Sequence, residues 1–178
     1  MNAPHETARF AHASTGTPRS KTIVDSPVGL LTLVAEDGVL AGLYMLEHRH
    51  APSLDLPVSK DGLPAVREQL SAYFARDLKE FDLPLAVSGT PFQEQVWAAL
   101  RTIPYGETWS YRDLAEAIGR PSAVRAVGLA NGRNPVSIVV PCHRVIGANG
   151  AMTGYGGGLA AKVWLLAHEG GSTSWSSD

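Results

Sequence analysis

The chain has 178 residues, enough for one large or two small domains, and its 44% apolar and 18% charged content is that of an ordinary globular protein. No stretch approaches the roughly 20 apolar residues of a membrane span. A net charge of −2 gives no overall electrostatic sign of nucleic acid, and a single cysteine excludes an internal disulfide and a zinc site built on several cysteines.

Residues 1–20 lack the basic start and apolar core of a secretory signal; rich in Ala, Thr, Ser and His, they read as a disordered extension. A reducing, cytoplasmic location is the default. Strand-like runs follow at 22–24, 30–35 and 39–46, separated by turn signals at Asp25-Ser26-Pro27 and Glu36-Asp37-Gly38, which predicts an antiparallel meander. His48 and His50 in the next loop are either a metal pair or surface residues, and no carboxylate or cysteine supports the metal. Val66, Leu70, Tyr73 and Phe74 recur at helical spacing, predicting one amphipathic helix over 64–75. Residues 81–85 are expected as an edge strand because of Pro84. A boundary near 86–89 divides an N-terminal α+β domain, 21–87, from a C-terminal domain, 88–170, with a tail at 171–178. The first 87 residues carry eight basic against eleven acidic side chains, a balance of −3, whereas 88–170 carry seven against five, a balance of +2.

The C-terminal domain opens with Thr90, Pro91 and Gln93, a cap, first-turn proline and capping-box partner for a helix that ends before Pro104. Ser110, with Asp113 three residues on, caps a second helix bearing Leu114, Ala117 and Ile118. Gly119 and Pro121 end it, and Ser122 is expected to cap a third helix reaching about Asn131. Helix, short turn, helix is compatible with an ordinary helical hairpin or with a DNA-binding helix-turn-helix. The third helix offers only Arg125 among side chains suited to reading bases in the major groove. Its small residues, Ala126 and Gly128 among them, suit a close approach to a narrow minor groove, with little sequence preference.

The apolar run 136–140 is expected to be a strand that delivers Pro141-Cys142-His143-Arg144-Val145. Cys142 is either an inert buried hydrophobe or a nucleophile, and a thiol needs an adjacent base or positive field to become a thiolate. His143 and Arg144 are its neighbours, although adjacency on an extended segment does not bring side chains together. A turn at 147–150, a glycine-rich loop at 154–158 and a helix over 159–168 complete the domain. The glycine triplet lacks the following Lys-Ser/Thr of a phosphate-binding loop, so bare backbone beside Tyr155 suits a flat ligand better.

These motifs, in this order, make residues 22–170 resemble the O6-alkylguanine-DNA alkyltransferases. The resemblance rests on the Pro141–Cys142–His143–Arg144–Val145 motif, Asn134-Pro135-Val136, Arg125-Ala126-Val127-Gly128, Ser110-Tyr111, the Tyr155-Gly156-Gly157-Gly158-Leu159 loop and the end of the last helix. It implies an α+β fold: a small N-terminal domain with an antiparallel sheet, ribonuclease H-like, and a helical C-terminal domain with a helix-turn-helix. It implies stoichiometric, irreversible transfer of an alkyl group from O6-alkylguanine, and also O4-alkylthymine, to Cys142. His143 would take the thiol proton, Glu169 would orient that histidine, and Asn134 would brace the turn before the active segment. Tyr111 would serve the leaving group, and Arg125 would fill the gap left by a flipped base. Ser110, Ala126 and Gly128 would meet DNA, while Val145, Tyr155 and Gly156 would line the base pocket. The implied partner is double-stranded DNA, bound through its minor groove by a monomer that can act cooperatively, with no cofactor, metal or membrane.

Two departures are visible: the cysteines of the structural zinc in some relatives are absent, and Gly156 stands where some relatives carry serine, which bears on substrate range. The competing readings are a non-repairing damage sensor, an alkylation-responsive regulator and a cysteine hydrolase. Sensors of that kind replace the acceptor cysteine, regulators add a cysteine-rich domain, and a hydrolase would turn over.

Overall fold

The computed structural model describes residues 16–170. Three strands, β1 (Arg19–Val24), β2 (Leu31–Glu36) and β3 (Val39–Met45), form an antiparallel sheet in the order β1-β2-β3. The meander is the expected one, and β1 opens at Arg19, inside the stretch read as extension; residues 1–15 and the tail lie outside the described residues. Leu31, Leu33, Leu40 and Leu43 are buried on this sheet, where they meet Val66, Leu70 and Tyr73 of α1 (Pro64–Phe74).

Both edges of the sheet are covered, which removes the unpaired ladders that invite aggregation. Lys21 of β1 exchanges backbone hydrogen bonds with Pro57 and Ser59, both at 2.8 Å. Leu43 of β3 donates to Pro135 at 2.9 Å and accepts from Ser137 at 3.3 Å, so a C-terminal segment continues the N-terminal sheet. Residues 81–85 do not form the expected edge strand. Leu85 alone bridges Leu40, because Pro84 has no N–H to add to a ladder.

The C-terminal half packs α2 (Pro91–Leu100), α3 (Tyr111–Ala117) and α4 (Val124–Gly132) against one another. Capping boxes begin α2, from Thr90 and Gln93, and α3, from Ser110 and Asp113. Ser122 does not cap α4: the N-cap is Ala123, which has no side-chain hydrogen bond, and Ala123 N–H closes a turn onto Arg120 at 2.9 Å. Two short strands were not foreseen. β4 (Trp109–Ser110) pairs in parallel with β5 (Val145–Ile146), which places the start of α3 beside the segment that follows Cys142. α5 (Leu159–His168) closes the structure, its Ala161, Leu165 and Leu166 buried.

The expected strand at 136–140 is instead a series of tight turns. Val140 N–H reaches Val136 O at 2.9 Å, Val139 N–H reaches Ser137 O at 2.9 Å, and Ile138 holds a left-handed φ of 72°. Its apolarity comes from burial, since Val136, Ile138, Val139 and Val140 are all in the core, and an unbroken apolar run does not reveal which backbone shape is buried. A left-handed β-branched residue is strained, so the turn needs external bracing. Asn134 supplies it from within the interior: its Oδ1 accepts from Val136 N–H at 3.0 Å and its Nδ2 donates to Val140 O at 2.8 Å.

Candidate active site

Asn134 thus fixes the segment that ends in a single 3₁₀ turn, Cys142–Arg144. Successive side chains of such a turn diverge by about a third of a revolution. Cys142 is accordingly buried while the next two residues turn toward Glu169, which α5 delivers at its C-terminal cap. His143 Nε2 lies 2.8 Å from Glu169 Oε1. Arg144 donates from Nε to Oε2 at 2.8 Å and from Nη2 to Oε1 at 2.9 Å, and its third nitrogen reaches Ile103 O at 2.7 Å. Arg144 therefore clamps the carboxylate rather than supplying a positive field at the thiol.

The electrostatics assign the protons. Burial alone would raise the Glu169 carboxyl, but the hydrogen bonds and charges of His143 and Arg144 outweigh it and hold the group below the usual carboxylate range. For His143 burial is the largest influence and wins, lowering its pKa despite Glu169, so the imidazole is neutral near pH 7. With Nε2 donating to the carboxylate, Nδ1 is the basic nitrogen, and it is buried without a hydrogen-bond partner. Burial also pushes the Cys142 thiol up, against the opposing influences of Asn134, Lys162 and Ser137. Cys142 thus rests as a protonated thiol, and the neutral imidazole of the next residue keeps one nitrogen without a partner.

Of the remaining predicted residues, Tyr155 and Tyr111 lie near this sulfur. Tyr155 turns its hydroxyl toward Cys142 and Ser137 without a hydrogen bond of good geometry, and burial keeps the phenol protonated. Tyr111, at the start of α3, is within electrostatic range of Cys142, and its hydroxyl bonds Thr153 Oγ1 at 2.8 Å. Val145 is buried in β5, with its carbonyl taken by Lys162 Nζ at 2.6 Å. On α4, Arg125 and Ala126 are exposed, and the backbone of Gly128 faces the Tyr111 ring. Ser110 caps α3. The predicted residues thus divide into a buried centre and an exposed helix face joined by Tyr111.

Two residues at this centre were not singled out from the sequence. Lys162 is fully buried on the apolar face of α5, bonded to Val145 O and, at 3.2 Å, to Thr153 O, and burial pushes it down to about 8. A lone charge between Ala161 and Leu165 was the available signal, because an apolar helix face carries a lysine only where carbonyls receive it. Tyr73 of α1 donates to Glu169 Oε1 at 2.7 Å. Its hydroxyl was the signal, since a tyrosine on a buried stripe must find a partner.

The chain is 57% identical over 147 residues to the methylated-DNA–protein-cysteine methyltransferase of Mycolicibacterium paratuberculosis, covering 82% of this chain and 89% of that protein. It belongs to the methylated-DNA–protein-cysteine methyltransferases. The family model for the 6-O-methylguanine DNA methyltransferase DNA-binding domain matches residues 91–171. Among solved structures, Mycobacterium tuberculosis OGT in complex with DNA superposes with a TM-score of 0.82 at 52% identity, over 85% of this chain and 93% of that one. The O6-methylguanine-DNA methyltransferase of the archaeon Pyrococcus kodakaraensis gives 0.58 at 27% identity, over 85% and 99%. A mixed α/β architecture with a small antiparallel sheet is thus common to this chain and these methyltransferases.

The glycine-rich loop docks on the segment after β3. His48, expected at the surface, is half-buried: its ring meets Tyr44 edge-on at 5.3 Å, and its Nδ1 accepts weakly from Met45 N–H at 3.4 Å. The neighbouring Arg49 N–H donates to Gly156 O at 2.8 Å. A Cβ on Gly156 would lie 2.5 Å from His48 Nε2, so a side chain there requires the imidazole or the loop to shift. Replacing Gly156 by Ala should therefore displace the ring or the loop, costing about 1–3 kcal/mol in overpacking and slowing alkyl transfer. His48→Ala should restore much of the loss; single-turnover rates of the two single variants and the double variant check this, and additive losses would contradict the contact.

Proposed function

We propose that the chain repairs DNA by direct reversal, moving the alkyl group of O6-alkylguanine onto Cys142 in one irreversible step. The observation that carries this reading is the buried Glu169–His143 pair, with an unpartnered Nδ1, on the residue that follows the single, buried cysteine. The thiol proton passes to His143 Nδ1 through a bridging water, and Glu169 stabilises the imidazolium that results. The thiolate attacks the alkyl carbon, an S–C bond forms as the C–O6 bond breaks, and the guanine takes a proton from Tyr111. Tyr111 can serve because burial, the main influence, raises its phenol and keeps it protonated. The thioether product has no route back to thiol, so one molecule repairs one lesion.

The target atom is inaccessible inside a duplex, so the base must be extruded, at a cost of a few kcal/mol that is smallest for a poorly paired lesion. α3, the turn at Gly119 and α4 act as the helix-turn-helix. The exposed face of α4 enters the minor groove, where its small side chains tolerate any sequence, and Arg125 takes the place of the extruded base. Val145, Tyr155 and Gly156 receive that base, and O4-alkylthymine fits the same chemistry. The protein works as a cytoplasmic monomer that can bind DNA cooperatively. A sensor or regulator has less support, because Cys142 is present and the relatives carry the name of methyltransferases.

Incubation with duplex DNA containing O6-methylguanine should add one methyl group to Cys142 and stop at one equivalent, as read by intact mass. Cys142→Ser should keep DNA affinity and lose transfer; transfer by that variant, or continued turnover, would overturn the reading. Arg125→Ala should slow repair of duplex DNA by roughly tenfold or more while leaving reaction with a free O6-alkylguanine base unchanged. Equal losses on both substrates would remove Arg125 from base extrusion.

A further inference from the structure

Tyr73 lies on α1, far in sequence from the reactive turn, and its side chain is fully buried. Its ring packs against Phe74, Phe81, Tyr105 and His168. Those contacts account for an aromatic ring at this position but not for a hydroxyl. The hydroxyl donates to Glu169 Oε1, the same oxygen that holds His143 Nε2. The backbone is bolted in place beside it, where Tyr73 O and His168 Nε2 lie 2.8 Å apart. We propose that Tyr73 is a positioning residue for alkyl transfer, fixing the Glu169 carboxylate and moderating its hold on His143. The proposal rests on the reading of His143 as the proton acceptor.

Two features give the bond its effect. A hydroxyl bonded to an ionised carboxylate is stronger than one bonded to a carbonyl, and it withdraws negative charge from the oxygen that faces the imidazole. Burial, the nearby Glu169 charge and the hydrogen bond itself all favour the neutral phenol, so the donor persists at every working pH. Arg144 fixes the carboxylate from the reactive turn, whereas Tyr73 fixes it from the N-terminal half. The N-terminal sheet-and-helix unit thereby contributes an atom to the base assembly of the C-terminal half.

The charged and titratable groups facing this assembly are Arg144 from the reactive turn, Lys162 and His168 from α5, Tyr105 from the loop after α2 and Tyr155 from the glycine-rich loop. Tyr73→Phe alters none of them and keeps the ring. The test is the single-turnover rate of methyl transfer against pH for the full chain, with saturating duplex DNA containing O6-methylguanine. Tyr73→Phe should slow transfer by roughly tenfold at neutral pH. It should also move the acid limb of the profile to higher pH, because a carboxylate with one donor fewer holds the imidazolium more strongly. In a His143→Gln background the same change should have no further effect. A native rate and pH profile for Tyr73→Phe, whatever its melting temperature, would overturn the proposal and leave Tyr73 as core packing. So would an equal slowing with and without His143. A native rate for His143→Gln alone would refute the base assignment instead, which keeps the two failures distinct. Should Tyr73→Phe fail to fold, 3-fluorotyrosine at position 73, a stronger donor, should move the acid limb to lower pH, and an unmoved limb would overturn the proposal.

Discussion

An ionised carboxylate in a protein interior is costly unless its oxygens are fully engaged. Glu169 meets that condition with four contacts from three residues, and those residues come from separate parts of the chain: Tyr73 on α1, His143 and Arg144 on the 3₁₀ turn. Removing any one would leave part of a buried charge uncompensated, so the packing of α1, α5 and the reactive turn is tied to this single group. The covered edge of the N-terminal sheet has the same consequence, because the backbone pairing of Leu43 with Pro135 and Ser137 holds the reactive segment to β3.

That constraint explains why the nucleophile rests as a thiol. Cys142 is buried, and neither Arg144 nor His143 is free to stabilise a thiolate by charge: the guanidinium is spent on Glu169 and the imidazole is neutral. His143 Nδ1, by contrast, has no hydrogen-bond partner. A standing thiolate would be open to oxidation and to other electrophiles, from which a buried thiol is protected. Lys162, close to the sulfur yet engaged by two carbonyls, moderates the cost of transient negative charge there.

Much of the architecture was legible from local rules. The meander followed from alternation and turn residues, α1 from its apolar spacing, and the starts of α2 and α3 from capping boxes that are present as expected. The run at 136–140 was not legible as turns, because every residue in it is buried and burial erases the periodicity that separates a strand from other shapes. Both ends of α4 fell within one residue, but the capping chemistry did not, since Ser122 joins a turn and Ala123 takes the N-cap without a side-chain hydrogen bond. At the site, Cys142, His143 and Glu169 were singled out through motif resemblance, and the geometry supplies the physical reason for the pairing of the last two. Tyr73 and Lys162 were missed because each sits in a helix stripe that reads as core. Their polar ends act through tertiary contacts about which spacing carries no information. His48 was read as surface for a similar reason: the Gly156 segment that lies over its ring is more than a hundred residues away in sequence.

The central claim is that Glu169 fixes one tautomer of a neutral His143, leaving Nδ1 free to accept the Cys142 proton. Nitrogen-15 chemical shifts of the His143 imidazole, recorded on the intact, unalkylated protein near neutral pH, test this directly. The account predicts a protonated Nε2 and a bare Nδ1. A proton on Nδ1, or on both nitrogens, would contradict it.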